Sequence, residues 1–424
     1  MTDTGAVARA RVLAAIDVDE LLAHLASLVR IPSVTGSAAE SELQHTLAAQ
    51  LAELGLDVDH WKLDLDALRA DPDYPGTETE RTEGYGVAAT TGAGVPGLIL
   101  QGHADVVPVG DASAWADVDP FGGEIRDGWL YGRGASDMKA GVAAITAVAR
   151  ALRRSGVRLA KPLAVHFVVG EEDGGLGALA TLRRGHTGEA AVIPEPTDGH
   201  LIVANAGALT FELRVPGLAA HGSSRHEGHS AYEAFGPVHD ALRVLERRLN
   251  ADPDPLFAGN PLPYALSIGR IRAGDWSSTV PDLLIAEGRL GVPLDSEPAD
   301  VRRQFEEVVA AACARDAWLA GHPATVTWPG GQFAPGRLPA GHPLIAQASA
   351  AAEAVTGHRP RVCAAPYGSD LRLYTRVGGI PTLHFGPGDI RWAHAIGERV
   401  LVEQVVAATR ALAVLAVERL VAQP

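Results

Sequence analysis

Gly97-Leu98-Ile99-Leu100-Gln101-Gly102-His103-Ala104-Asp105-Val106-Val107-Pro108 is the stretch around which the chain is organised. Its apolar run reads as a buried strand, and a His and an Asp two residues apart follow Gly102. Residues i and i+2 of a strand face the same side, so the imidazole and the carboxylate fall within mutual reach. A metal-binding His needs such a partner for its second ring nitrogen. In open α/β sheets, ligands collect just beyond the carboxyl ends of the strands, which is where this pair sits.

The flanking sequence supplies the sheet. Asp17 and Glu20 form a capping pair before the apolar positions Val18, Leu21, Leu22, Leu25, Leu28 and Val29, and Pro32 closes that helix. A second helix runs from Ala39 to Leu54, stops at Gly55, and gives way to strand-like Leu56–Trp61. Helix is expected over Lys139–Arg154, and buried strands over Leu163–Val169, Ala190–Ile193 and Leu201–Ala204. This alternation describes an α/β fold with a mostly parallel central sheet flanked by helices. From Gly207 the pattern changes. Leu209–Val215, Ser230–Leu249, Tyr264–Ile271, Leu283–Val292, Ala299–Leu319 and Ala324–Trp328 read in the order β-α-β-β-α-β, a ferredoxin-like α+β module. Strand (Ile380–Phe385) and a long final helix then return, so one domain (1–206 and 333–424) is interrupted by another (207–332).

At 424 residues, two domains are the natural expectation. Lys and Arg number 36 against 51 Asp and Glu, a formal charge of −15, which argues against nucleic acid or an anionic membrane as partner. The two cysteines, Cys313 and Cys363, form no disulfide framework. Met1–Ile16 lacks the apolar core of a signal peptide. Charged and polar residues interrupt Leu401–Val421, which therefore reads as an amphipathic helix rather than a membrane span. A soluble cytoplasmic protein is expected.

Four further stretches end in ligand-type residues. Tyr131-Gly132-Arg133-Gly134-Ala135-Ser136-Asp137 sets an Asp at the start of a helix. Val168-Val169-Gly170-Glu171-Glu172-Asp173 ends a buried strand in three acids, which repel one another unless cations or protons intervene. Ile193-Pro194-Glu195-Pro196 offers a lone Glu, and Gly386-Pro387-Gly388 precedes His394, with Glu398 beyond. Two His and several carboxylates make a mixed N/O inventory suited to Zn²⁺ and similar ions. Two such ions sharing one carboxylate would form a hydrolytic pair. The adjacent glutamates allow one to bind metal while the other acts as base.

These segments resemble those of the M20 metallopeptidase family, which includes acetylornithine deacetylases, succinyl-diaminopimelate desuccinylases, aminoacylases and glutamate carboxypeptidases. The resemblance runs from Ile31-Pro32-Ser33-Val34-Thr35-Gly36 to the His394 region, with the motifs in family order. It implies a zinc-exopeptidase-like catalytic domain with two divalent ions per subunit, zinc first and cobalt or manganese as alternatives. His103 would bind one metal with Asp105 orienting it, and Asp137 would bridge the two ions, followed by a cis peptide. Glu171 would be the general base and Glu172 a ligand. Glu195 would join the His103 metal, and His394 the Glu172 metal. The inserted module resembles the family's lid and dimerisation domain. There Ala220-His221-Gly222-Ser223 matches a histidine that reaches the partner subunit's active site, and Arg289 lies where relatives hold a substrate carboxylate. A separate metal site of His221, His226 and His229 is disfavoured, because Gly222 and Gly228 break any helix carrying all three.

The departures bear on substrate. Desuccinylases carry Arg-Arg-Gly-Ser where this chain has Asn205-Ala206-Gly207-Ala208, so their carboxylate clamp is missing. Gly274-Asp275-Trp276-Ser277-Ser278-Thr279-Val280-Pro281 has Ser and Thr where many relatives use Asn. The Pro366-Tyr367-Gly368-Ser369-Asp370 stretch is nearer to a loosely defined deacylase subgroup. The expected function is removal of an acyl group from an N-acyl amino acid or related small amide by a homodimer, with no nucleic acid or membrane partner. A dipeptidase or carboxypeptidase is the alternative, and a non-catalytic or amide-forming homologue the more distant one.

Overall fold

The computed structural model describes residues 3–115 and 117–422. Leu98–His103 is a strand with all six residues buried, and it lies inside a nine-stranded sheet. It pairs in parallel with Leu163–Val168 on one side and with Ala191–Ile193 on the other, and Ala191–Ile193 pairs in parallel with Thr382–His384. These four strands form the centre. Asp57–Lys62 and Tyr85–Thr90 continue one side antiparallel, and Leu201–Asn205 meets Thr382–His384 antiparallel on the other. The sheet is therefore mixed: its four central strands are parallel, as is the pairing of Val362–Ala365 with Leu201–Asn205, and its other pairings are antiparallel.

Helices cover both faces. Ala140–Ser155 and Val402–Leu420 pack with Leu21, Leu25, Leu43 and Leu47 into the main core. The Ala-rich stretch suits close contact: a Cβ at Gly141 would lie 2.3 Å from the Pro194 carbonyl oxygen. Only a glycine lets the start of that helix sit against the segment leading to Glu195. Asp17 caps the Val18–Val29 helix by accepting from the Glu20 amide at 3.0 Å, as its sequence predicts. Helix over Asp3–Ala14 and Leu176–Arg183 lay outside the sequence reading. So did the small sheet of Glu124–Arg126, Trp129–Tyr131 and Arg399–Leu401.

A second sheet begins at Gly207–Pro216. Its order is Leu266–Ala273, Leu283–Val292, Gly207–Pro216 and Thr325–Thr327, antiparallel throughout. Helices Ala231–Leu249 and Pro298–Cys313 close its own core around Phe211, Leu242, Leu284 and Phe305. This is the β-α-β-β-α-β arrangement expected. The last helix is shorter than the predicted Ala299–Leu319, because the Asp316 carboxylate accepts the amides of Trp318 and Leu319 and turns the chain. The first hairpin strand starts at Leu266 rather than Tyr264, whose amide donates to Asn250 Oδ1 instead of the ladder. No helix among the described residues is long and apolar enough to cross a membrane.

Besides His103, three histidines are buried around the central sheet. Burial lowers His24 to about 4, and His166 and His384 to about 3. Each folded pKa lies below the unfolded value, so the unfolded chain takes the proton more readily, and stability falls as pH drops from about 6.5. Urea unfolding should show a loss on the order of 1–2 kcal/mol per histidine between pH 7.5 and 5. The His166→Gln variant should show a shallower decline over the same window.

Candidate metal centre

The sequence-predicted ligands meet at the carboxyl ends of the four parallel strands. His103 is the last residue of Leu98–His103. Glu171 and Glu172 follow Leu163–Val168 after Gly170, which turns at φ 67°. Glu195 lies two residues beyond Ala191–Ile193, and His394 on the loop after Thr382–His384. Asp137 enters from the turn before Ala140–Ser155, and its peptide bond to Met138 is cis.

The Asp137 carboxylate stands between the two imidazoles. Its Oδ1 is 3.2 Å from His103 Nε2, and its Oδ2 is 3.6 Å from His394 Nε2. Glu195 Oε1 lies 3.7 Å from His103 Nε2, and Glu172 Oε2 lies 2.9 Å from His394 Nε2. Each half thus presents one His, one Glu and one oxygen of the shared Asp. Single ligand atoms of His103, Asp137 and Glu172 fall within 4.8 Å of one another.

Charge supports the same reading. Four carboxylates share this site with two imidazoles, so with every acid ionised even two imidazolium cations leave it negative. Burial works against a charged His103, yet Glu195, Asp137 and Asp105 hold its pKa well above the usual range. Burial pushes Glu195 and Glu171 well above ordinary carboxylates, and Glu172 upwards as well. Glu172 Oε1 is buried without a hydrogen-bond partner. An oxygen- and nitrogen-rich donor set of this charge fits a pair of divalent cations.

The two adjacent glutamates differ. Glu172 is engaged with His394, whereas no hydrogen bond holds the Glu171 carboxylate among the described residues. Asp105 does more than expected. His103 Nδ1 lies 2.9 Å from the Asp105 main-chain carbonyl and 3.6 Å from its carboxylate. The carboxylate instead accepts the amides of Glu171 and Glu172, both at 3.2 Å, and the Thr35 hydroxyl at 3.0 Å.

Two supports carried no sequence signal of their role. Glu398 Oε1 accepts the amides of Ser136 and Asp137 at 2.9 and 3.0 Å. Its Oε2 accepts that of Gly134 at 3.0 Å and Arg133 Nη1 at 2.6 Å. Arg133 Nη2 donates onward to the His394 carbonyl. Buried Glu40 pairs with Arg81 and accepts the Gly170 amide just before the glutamates.

The remaining predicted residues lie elsewhere. His221 is exposed on the second module, bonded to Ser223. His229 stacks on Trp318 with ring centroids 4.2 Å apart, and among the described residues no metal-type group forms outside the site above. Arg289 is half-buried, and it donates to the Pro366 carbonyl at 2.7 Å.

Comparison with known proteins decides the class. The model of peptidase family M20/M25/M40 matches residues 99–418. The chain belongs to this family. It is 28% identical over 417 residues to N-formyl-4-amino-5-aminomethyl-2-methylpyrimidine deformylase of Bacillus subtilis, covering 92% of each chain. It is 32% identical over 322 residues to succinyl-diaminopimelate desuccinylase of Cereibacter sphaeroides, covering 72% of this chain and 79% of that one. The structure of human carnosine dipeptidase 1 superposes with a TM-score of 0.74 over 97% of this chain and 98% of that one, at 17% identity, which shows a shared fold. This M20 chain is a hydrolase of amide bonds, and metal-dependent hydrolysis fits its site.

Glu398 holds the loop of the shared Asp, so Glu398→Gln should weaken divalent-ion affinity about 10–100-fold, the usual effect of losing an outer partner of a metal ligand. Titration calorimetry of the chelated protein with Zn²⁺ checks this. Unchanged affinity would show that the loop keeps its place without the carboxylate.

Proposed function

We propose that this chain is a dinuclear-metal deacylase, removing an acyl group from an N-acyl amino acid or related small amide. The observation that carries it is the Asp137 carboxylate, with one oxygen towards each of two histidines, beside Glu171, whose carboxylate makes no hydrogen bond among the described residues. His103 and Glu195 would hold one ion, His394 and Glu172 the other, and Asp137 both, with zinc the first candidate. When bound, such a pair supplies Lewis acidity towards a carbonyl oxygen and makes water a better acid. Glu171 takes the proton of the attacking water and delivers it to the leaving amine nitrogen. Its raised pKa, caused first by burial, suits a group that must both accept and return a proton near neutral pH. The full-length deformylase relative and the desuccinylase relative both favour deacylation over peptide cleavage.

Residues 207–332 serve in this reading as lid and dimerisation module, on a catalytic domain of 1–206 and 333–424. Support for a homodimer comes from the outer strand Leu266–Ala273, which has a strand neighbour on one side only and is mostly exposed. Ile271, Tyr232 and Val244 lie exposed on the same module. His221 lies in a segment bridged to Thr279, near exposed Trp276, and would reach the partner subunit's site to steady the oxyanion. Arg289 is a candidate for the substrate's far end. A cytoplasmic location completes this reading.

Amine release from N-formyl, N-acetyl, N-succinyl and N-carbamoyl amino acids and from dipeptides tests the reading, with chelated protein as control. One acyl class should be hydrolysed in a metal-dependent way. Preference for dipeptides would move the assignment to a dipeptidase, and silence with two metals bound would overturn hydrolysis of such amides. Glu171→Gln should lower kcat roughly 10²–10⁴-fold while both metals stay bound. His221→Ala should lower kcat roughly 10²–10³-fold. Mixing the two inactive proteins should restore activity through hybrid dimers, and no recovery would place His221 outside the partner's site.

A further inference from the structure

The Pro366-Tyr367-Gly368-Ser369-Asp370 segment borders the metal centre, and none of its side chains belongs to the ligand set above. It is held from several directions. Arg289 of the second sheet donates to the Pro366 carbonyl at 2.7 Å, and Asn205 Nδ2 of the central sheet donates to the Tyr367 carbonyl at 3.2 Å. Ser369 Oγ lies 2.8 Å from His384 Nε2, and the Asp370 carboxylate accepts from Gln101 at 3.1 Å. The Tyr367 ring packs against Ile202, Cys363 and Ala365.

Fixed in this way, the Tyr367 hydroxyl is buried and has no hydrogen-bond partner among the described residues. Leaving a buried hydroxyl unpaired costs about 1–3 kcal/mol, so a native phenol in that position needs a use. The charges that act on it are Glu195, Asp137 and Glu171, the ligands and base of the centre, together with Cys363. Burial first, and these charges second, keep the phenol protonated. Gln101 precedes His103 by two residues and His384 ends the strand that leads to His394, so the pinned segment crosses the strand ends that carry the centre, where a fixed neutral O–H needs little reorganisation when charge develops nearby.

We propose that Tyr367 is a catalytic residue of this site, its hydroxyl donating a hydrogen bond to the amide carbonyl oxygen as that oxygen becomes an oxyanion. This rests on the hydrolase reading above and extends it. In that reading His221 comes from a second subunit, whereas Tyr367 is a donor supplied within the chain. The hydroxyl keeps its proton throughout. The only proton moved is the one that Glu171 carries from water to the leaving nitrogen.

The test uses the metal-loaded full chain and the amide of the acyl panel that it hydrolyses fastest. Tyr367→Phe removes one oxygen and should lower kcat roughly 10²-fold, the usual effect of losing one oxyanion donor, with KM changed less than about threefold. Metal content and melting temperature should match the parent. Butylboronic acid, which turns tetrahedral and anionic on binding, should lose affinity by a similar factor, while the free amine product should not. Tyr367→His, which retains a donor on a smaller ring, should regain part of kcat. If Tyr367→Phe keeps kcat within about threefold, or loses product affinity as much as boronate affinity, the proposal is overturned with the hydrolase reading intact. A parent protein silent on the whole panel overturns both.

Discussion

Repulsion among buried acids is the constraint on which this molecule depends. Asp137, Glu171, Glu172 and Glu195 lie within 9% exposure or close to it, around two histidines, at the mouth of a sheet whose strands are almost wholly apolar. Isolated carboxylates in such surroundings would give up their charge or drive the loops apart. Two features prevent that. The imidazoles lie within 2.9–3.7 Å of the carboxylates and offset part of the charge. The donor set also has the composition that divalent ions require, so the repulsion that weakens the site alone is what gives it affinity for cations.

A second layer of acids keeps the first in place, and these act on the backbone. Asp105 accepts the amides of Glu171 and Glu172, Glu398 accepts three amides of the Gly134–Asp137 turn, and Glu40 accepts that of Gly170. Each ties together segments distant in sequence; Glu398 and Asp137 are 261 residues apart. Arg133 and Arg81 neutralise two of these acids, which satisfies buried charge without touching the reacting groups. The outcome is a ligand set on loops that is nonetheless fixed by charge-assisted hydrogen bonds to main-chain atoms.

This division explains what the sequence made legible. Buried strands such as Leu98–His103 and Leu163–Val168 declare themselves by unbroken apolar runs, and ligand-type residues just past their ends stand out because acids there have no other explanation. The β-α-β-β-α-β order was equally readable from changing periodicity. The mixed character of the sheet was not, since strand direction is decided by partners far along the chain. Three-residue strands such as Trp129–Tyr131 are too short to show a period. Arg81, Arg133 and Tyr367 carry no local pattern either. Their meaning lies in which buried atom they meet, and Asp105 shows the same limit: its spacing from His103 was plain, its bonds to the Glu171 loop were not.

The backbone crosses between the two sheets at adjacent points, beside side-chain contacts such as Thr210 with Glu78 and Arg376 with Glu297. Leu201–Asn205 of the central sheet and Gly207–Pro216 of the second are separated by Ala206 alone, whose amide is held by the Ala365 carbonyl at 2.8 Å. The returning chain runs alongside: Phe333 pairs with Ala208, and Gly336 with Asn205. A Cβ on Gly207 would lie 2.5 Å from the Phe333 carbonyl oxygen, so the two crossings touch at the backbone. Every metal-type ligand lies on one side of these crossings, and the Arg289 contact with Pro366 crosses between the sheets close to the Tyr367 segment. The ligand set therefore rests on the central sheet alone, whereas the Tyr367 segment is held from both sheets.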